Sequence, residues 1–424
     1  MSRSVCIAFG GGCPRSRVDI AQLFTYFDVN GWSIAESIGD ADLVIVTACG
    51  FDATSEQDGM GMIDTANKLR SPDSQLVIIG CIAGICEEHL HETFDAVLIP
   101  PRDMARLDEV IGATTALSDV PDPNEIEPLI QFASTYFPYE GRRPGEDSAR
   151  LLARRAFAKS GLRDWLARHG RMTDEDYLRP APGHFSIRVA RGCTSNCSYC
   201  AIRSANGPLR SKALSKVLAE FDSGLENGHT SFALLAQDLG AWGQDIDTNV
   251  VELLTSIFDR DGNHVVRLSD FNIRWFSRYA NELIPLLVAN STRISHLLLP
   301  IQSGSDRILE SMRRGNTASE AEHVVTSLRA AAPDLEISTH VLVGFPGETE
   351  QDFEDTLRLL RAGRFDMVEV YGYSDRPGTA AAELPSRVSQ RDIDARVRRV
   401  RTEFPSEAQL ARRKYAASHV KGTA

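Results

Sequence analysis

The sequence predicts an α/β protein in two sheet-built parts: an open parallel sheet at the amino terminus, then a partial barrel of six β/α units. Three observations carry this. Short β-branched runs alternate with helical stretches over residues 4–112 and again from 184 onward. A proline-punctuated, arginine-rich segment separates the two series. No sequence repeat of 20–50 residues suggests a solenoid or propeller instead.

In the first series, "SVCIAFGG" (4–11), "DLVIVTAC" (42–49), "QLVIIGC" (75–81) and "DAVLIP" (95–100) read as buried parallel strands. The stretches between them read as helices, which gives an open α/β sheet over 1–112. Residues 113–182 break the pattern with Pro121, Pro123, Pro128, Pro138 and Pro144, then a basic helix from about Asp147 to His169. This reads as a linker with an inserted helix. Over 183–388 the strand candidates are "FSIRVA" (185–190), "SFALLAQ" (231–237), "NIRWFSRY" (272–279), "SHLLLPIQ" (295–302), "EISTHVLVGF" (336–345) and "MVEVYGY" (367–373). Six such units suit an incomplete (β/α) barrel. Residues 389–424 read as one or two terminal helices broken near Pro405.

The composition, 42% hydrophobic and 25% charged over 424 residues, is that of a soluble globular chain with more than one core. The start "MSRSVCIAFGGGC" lacks the apolar stretch of a signal peptide. The expectation is a cytoplasmic protein with no membrane partner. A net charge of -12 argues against a nucleic-acid binder held by bulk charge. Positive charge is nevertheless concentrated in two places. Residues 141–171 carry nine Arg and Lys against three Asp and Glu, and 391–421 carry nine against four. These are either solvated helix faces or surfaces that meet an acidic substrate.

Eight cysteines in a reducing compartment point to metal binding or catalysis rather than a disulfide framework. Three of them, Cys193, Cys197 and Cys200, fall within "RGCTSNCSYCAI". They follow the first barrel strand, at the mouth where barrel active sites are built. Four-iron clusters normally take four thiolates, so three leave one iron open for a cofactor or substrate. A structural zinc site, the competing reading, would close its coordination. Cys13 lies in the loop after the first strand, Cys49 ends the second and Cys81 ends the third. Ligands of open parallel sheets bind outside those carboxyl ends, so the three point at one crevice. Cys6 and Cys86, mid-strand and at a helix start, read as small buried hydrophobes.

The Cx3Cx2C loop, with Tyr199 before its last cysteine, resembles the radical S-adenosylmethionine superfamily. The set "GGGCPRSRVD", "ADLVIVTACGF", "VIIGC", "RGCTSNCSYCAI", "LLAQDLGAWGQD", "LPIQSGSDRILESMRRG", "VLVGFPGETEQDF" and "YSDRPGTAAAELP" resembles its methylthiotransferases over about residues 4–112 and 184–415. The resemblance implies S-adenosylmethionine and two [4Fe–4S] clusters as cofactors. One cluster would lie on Cys193, Cys197 and Cys200. The auxiliary cluster would lie on Cys13, Cys49 and Cys81. It further implies reductive cleavage of S-adenosylmethionine to a 5′-deoxyadenosyl radical, hydrogen abstraction from substrate carbon, and capture of sulfur from the auxiliary cluster. An electron donor such as flavodoxin or ferredoxin and a sulfur source complete the implied partners. Around the barrel mouth, Tyr199, Gln237, Asp238, Arg278, Gln302, Gly344, Phe345 and Pro346 are candidates to contact cofactor or substrate, since each is placed at or after a strand end. For "GFPGET" the alternative is a turn and helix start with Thr349 as N-cap.

Members of that family usually end in a small β-barrel, the TRAM domain, and "ARRKYAASHVKGTA" leaves no room for one here. "GCPRSRVD" and "ACGF" resemble the ribosomal-protein-aspartate branch, whereas "PIQSGSDRILESM" and "SDRPGTAAAE" resemble the tRNA-adenosine branch. The resulting expectation is a peptide or small-molecule substrate, met in part by the basic residues from Arg142 to Arg168. The alternatives are tRNA or a ribosomal protein with a partner in place of TRAM, or a radical enzyme whose second cluster does no sulfur chemistry.

Overall fold

The computed structural model describes residues 3–9, 13–35, 37–126 and 184–405. The basic helix expected at 147–169 and the chain beyond 405 lie outside the described residues. The described chain forms two compact units. The first takes the residues up to 126 together with Ser204–Asn206, and the second takes the rest.

In the first unit, β1 (Ser4–Phe9), β2 (Ser33–Ile34), β3 (Leu43–Thr47), β4 (Gln75–Ile79) and β5 (Val97–Ile99) form one parallel sheet in the order β2-β1-β3-β4-β5. The near-continuous Val and Ile runs of β1, β3 and β4 are buried along their length, as a sheet covered on both faces requires. Val5, Ile7, Ile45 and Val77 pack against Ile20, Leu23 and Phe27 of the helix Pro14–Val29. Strand order reverses between β1 and β3, which makes their carboxyl ends the switch point where such sheets bind ligands. Gly80 leaves β4 at φ 105°, and a Cβ there would stand 2.5 Å from the Ala48 carbonyl oxygen. The chain can turn from β4 into the helix Cys81–Ile85 only through a glycine.

The second unit holds β6 (Phe185–Arg188), β7 (Ala190–Arg191), β8 (Arg210–Ser211), β9 (Ser231–Leu235), β10 (Val265–Leu268), β11 (Ile294–Leu298), β12 (Ile337–Val343) and β13 (Met367–Gly372). Six of these form a parallel sheet in the order β13-β12-β11-β10-β9-β6, so each strand lies beside its sequence neighbour, as in a barrel left open. Its core joins Ile187, Leu234, Leu268, Leu297 and Val341 to the buried faces of the surrounding helices. Thr317 and Thr349 start two of those helices with reciprocal capping boxes to Glu320 and Asp352. β7 and β8 pair antiparallel and close the base of the loop that carries the three clustered cysteines.

The third barrel strand is β10, not the expected 272–279. "NIRWFSRY" has the aromatic content of a strand, yet Ile273–Arg278 is a helix capped by the Asn272 side chain on the Arg274 N–H. Its Ile273, Trp275 and Phe276 are buried on one helical face, and the strand role falls to the short "VVRL" after a turn. The sequence reading also missed β2, β7 and β8, each only two residues long. Several strands end earlier than expected, and β9 and β11 stop at Leu235 and Leu298.

The helix Gln390–Glu403 closes against the end of β12. A Cβ on Gly344 would meet Ile393 Cγ1 at 2.3 Å. Arg396 Nη1 lies 2.6 Å from Glu348 Oε2, which also accepts the Gly344 N–H at 2.5 Å. Burial pushes the Glu348 carboxyl up to about 7, against the hydrogen bond from Gly344 and the Arg396 charge. Beyond the helix, the Pro405 carbonyl accepts the Val368 N–H at 2.9 Å and covers part of the β13 edge.

Two stability outcomes follow. Asp352 is buried, which by itself raises its pKa, yet hydrogen bonds from Ser305 and Thr349 and the Arg307 guanidinium hold it down at about 2. A depressed carboxyl stabilises the fold above its ordinary value near 4, and that contribution fades as pH falls toward 2. Asp352→Asn is expected to cost about 2 kcal/mol at pH 7, with the deficit shrinking below pH 4; urea unfolding at pH 7 and pH 3 measures it. Gly192 lies at φ 73°, and a Cβ there would stand 2.0 Å from the Pro208 carbonyl oxygen. Gly192→Ala is expected to lower the thermal midpoint, with a loss of about 1–3 kcal/mol, because no flexible side chain can give way.

Candidate functional site

In the amino-terminal unit, Cys13 follows β1 and is the N-cap of the helix Pro14–Val29. Cys49 lies two residues past the end of β3, and Cys81 opens the helix after β4. Three neighbouring strands of one parallel sheet, β1, β3 and β4, are therefore each followed by one thiol. The thiols are close enough to act on one another electrically. Burial pushes Cys49 up to about 11, with the Cys13 charge adding to it. Burial raises Cys81 further, and both Cys49 and Cys13 add to the shift. Three features oppose this. The Phe51 backbone N–H hydrogen-bonds Cys49, Arg15 lies near both Cys49 and Cys81, and Asn206 Nδ2 donates to Cys81 Sγ at 3.5 Å. Ser16 stands beside Cys13, with its hydroxyl on the Cys13 carbonyl at 2.9 Å.

In the second unit, Cys193, Cys197 and Cys200 lie on the loop that leaves β7, between the two arms of the β7–β8 ribbon. Burial pushes Cys193 up to about 11, and the Asp238 carboxylate adds to it. The Ser195 N–H opposes the shift from 3.3 Å. Cys200 is raised by burial and then by Cys197, against the N–H groups of Ile202 and Arg203 and the charge of Arg314. The loop is held down at its centre by the segment Ser311–Arg314. Ser198 donates its N–H to the Met312 carbonyl at 3.0 Å and its hydroxyl to Ser311 at 2.7 Å. The Ser198 carbonyl in turn accepts the Ala381 N–H at 2.8 Å.

The other two cysteines stand apart in character. Cys6 lies inside β1, 1% exposed, and burial alone pushes it up to about 11. Cys86 is buried where the helices Cys81–Ile85 and Glu87–Thr93 meet.

The barrel-mouth candidates separate into four groups. Tyr199 and Phe345 come together in one apolar cluster with Ile308, Met312, Tyr373 and Ala381. Gln237 and Asp238 lie just past the end of β9, and Gln302 is held at φ 67° between β12 backbone partners, with its N–H on His340 and its carbonyl accepting from Leu342. Asp238 is buried and accepts from the Asn272 N–H at 3.3 Å and from Trp275 Nε1 at 3.0 Å. Burial pushes its carboxyl up to about 6 in spite of those bonds and the nearby Arg314 and Arg274. Gly344 and Pro346 are buried, and the glycine is accounted for by its contact with Ile393. Arg278 does not end a strand. It is the last residue of the helix Ile273–Arg278, exposed and lying over the rings of Trp275 and Tyr279. The cations that act on Asp238 are Arg274 and Arg314, which the sequence reading did not single out. A helical reading of 272–279 would have turned Arg274 toward the capping end of that helix and removed Arg278 from the mouth.

Each triad offers three thiols, the donor type that iron–sulfur clusters take.

Comparison with known proteins agrees with this division. Residues 187–360 match the radical SAM superfamily, and residues 6–99 match the family described as uncharacterized protein family UPF0004. The chain is 30% identical over 398 residues to the ribosomal protein uS12 methylthiotransferase RimO of Roseiflexus castenholzii, covering 91% of this chain and 77% of that one. It is 27% identical to the RimO of Protochlamydia amoebophila, covering 92% and 74%. It is 28% identical to a probable threonylcarbamoyladenosine tRNA methylthiotransferase of Pyrococcus horikoshii, covering 97% and 86%. Among solved structures, the radical S-adenosylmethionine methyltransferase TsrM of Kitasatospora setae shares the fold, with a TM-score of 0.57 at 16% identity over 90% of this chain and 77% of that one. With one such domain in each unit and methylthiotransferase relatives matched over about three quarters of their length or more, the chain belongs to the radical S-adenosylmethionine methylthiotransferase family, enzymes that use S-adenosylmethionine and two [4Fe–4S] clusters.

Proposed function

We propose that this enzyme places a methylthio group on an unactivated carbon of a macromolecule of the translation machinery, with ribosomal protein uS12 the first candidate and tRNA the second. The observation that carries the reading is the pair of cysteine triads, one in each unit, each made of thiols that sense one another. The choice of substrate class is supported by the relatives, whose names give ribosomal protein uS12 or tRNA over most of the chain's length. That support favours a macromolecule over the peptide or small molecule expected from the sequence.

In this reading Cys193, Cys197 and Cys200 hold the cluster that meets S-adenosylmethionine, and Cys13, Cys49 and Cys81 hold the auxiliary one. When bound, these groups supply the electron, the carbon-centred radical chemistry and the sulfur. The chain's own residues supply position and dryness. Tyr199 and Phe345 form an apolar wall beside the cysteine loop. Asp238 ties Asn272 and Trp275 together behind it and keeps a negative charge near Cys193. Gln302, held in a left-handed backbone conformation that non-glycine residues rarely adopt, would offer its amide to the cofactor or substrate in this reading. Because burial keeps the thiols protonated, loading either triad releases protons and is expected to be easier at higher pH. An external reductant and a sulfur source are required partners. No helix among the described residues is long and apolar enough to cross a membrane.

Two experiments test this. In the Cys193/Cys197/Cys200 triple Ala variant, 5′-deoxyadenosine formation is expected to vanish while about half the iron remains. In the Cys13/Cys49/Cys81 triple Ala variant, S-adenosylmethionine cleavage is expected to continue without any sulfur-bearing product. Cleavage that survives the first triple change refutes the assignment. The reconstituted enzyme, given S-adenosylmethionine, dithionite and sulfide without oxygen, is then offered ribosomal subunits or bulk tRNA. Mass spectrometry is expected to find a methylthio group on uS12. The same group on a nucleoside moves the assignment to tRNA, and cleavage with neither product returns it to a small substrate.

A further inference from the structure

Arg314 is an arginine 6% exposed, set against the loop that carries Cys193, Cys197 and Cys200. Its Nη1 donates to Cys197 Sγ at 3.7 Å and to the Tyr199 hydroxyl at 3.3 Å. Its Nη2 donates to the Pro300 carbonyl at 2.8 Å, just past the end of β11, and its buried Nε has no hydrogen-bond partner among the described residues. The guanidinium therefore spans from the strand end to the cysteine loop. Local backbone serves this placement. Arg313 and Gly315, on either side, both take left-handed conformations at φ 55° and 70°. The two residues before them, Ser311 and Met312, accept both hydrogen bonds of Ser198.

We infer that Arg314 is a positioning and tuning residue for the cluster at Cys193, Cys197 and Cys200: its buried charge raises that cluster's reduction potential, and its fork holds Cys197 and Tyr199 in place. The inference rests on the assignment of those cysteines proposed above. The physical argument is one of sign. Reduction adds one electron, so the reduced state carries one more negative charge than the oxidised state. A fixed cation beside a ligating sulfur, in a poorly solvated place, stabilises the reduced state more. Hydrogen bonds to cluster sulfurs act in the same direction. Arginine keeps its charge when buried. Burial works against that charge here, yet Tyr199, Cys197 and Asp238 more than restore it. Asp238 acts on both Cys193 and Arg314 and offsets part of the effect. One buried cation and one buried anion thus act on the cysteine loop, and loss of the cation alone leaves the anion uncompensated.

The test is an EPR-monitored redox titration of the reconstituted full chain. It follows the reduced-cluster signal that changes when S-adenosylmethionine is added, and the Cys193/Cys197/Cys200 triple Ala variant identifies that signal by losing it. Arg314→Met and Arg314→Gln are expected to shift the reduction equilibrium about tenfold toward the oxidised state, about 59 mV for one electron. Arg314→Lys, which keeps the charge and loses the fork, is expected to recover most of that shift. Tyr199→Phe, which leaves the cation in place, is expected to move the midpoint by less than about half as much. An unchanged midpoint in both neutral variants overturns the inference, as does a Lys variant that behaves like Met. Failure of every Arg314 variant to hold iron also overturns it, since the arginine would then be a condition of assembly and not a setting of potential. If the marker signal survives in the triple Ala variant, the cysteine assignment itself fails, and the two failures are told apart.

Discussion

On the proposed assignment, each unit has to hold three sulfur atoms together that must all become negative, in a place poor in water. Mutual repulsion and burial oppose that state alike, as the raised thiols of Cys49, Cys81, Cys193 and Cys200 show. Much of the local architecture reads as an answer to it. In the amino-terminal unit, Cys13 stands at the positive end of a sixteen-residue helix, and Arg15 lies near the other two thiols. In the second unit, backbone N–H groups at Ser195, Ile202 and Arg203 and the charge of Arg314 do the same for a loop.

The two solutions differ because the scaffolds differ. The open sheet brings its thiols from three separate strand ends, so their spacing is set by β1, β3 and β4 and their register, which a rigid hydrophobic core maintains. The second unit gathers its thiols on one stretch of eight residues, which has no regular structure of its own. It therefore depends on outside anchors: the β7–β8 ribbon at its base, and the Ser198 contacts with Ser311, Met312 and Ala381 at its centre. Errors of packing in the first unit would be shared among strands. In the second they would fall on a few hydrogen bonds.

The places of Cys13, Cys49 and Cys81 beside strand ends, and of Cys193, Cys197 and Cys200 on one loop, were legible because spacing and strand pattern are written in the chain itself. The alternation of Val- and Ile-rich runs was equally plain for β1, β3, β4, β9, β11, β12 and β13. What sequence could not supply was of two kinds. "NIRWFSRY" carries strand-forming aromatics but buries Ile273, Trp275 and Phe276 around a helical turn, so tertiary packing overrode local preference and displaced Arg278 from its expected place. Arg314 was invisible for another reason. It is distant in sequence from the cysteines, and nothing in "ESMRRG" says which of its two arginines turns inward; only the left-handed backbone at Arg313 and Gly315 decides that.

The helix Gln390–Glu403 has a consequence for how this chain can be divided. It looks like an appendage, but Ile393 occupies the space that a side chain on Gly344 would need, and Arg396 neutralises a carboxylate that is otherwise shut away from water. A fragment stopped at Gly372, the end of β13, would keep all six barrel strands and still leave Glu348 buried without its cation. Stranding one half of a buried ion pair costs about 3–5 kcal/mol. A barrel fragment that keeps this ion pair therefore has to reach at least Arg396, well past its last strand.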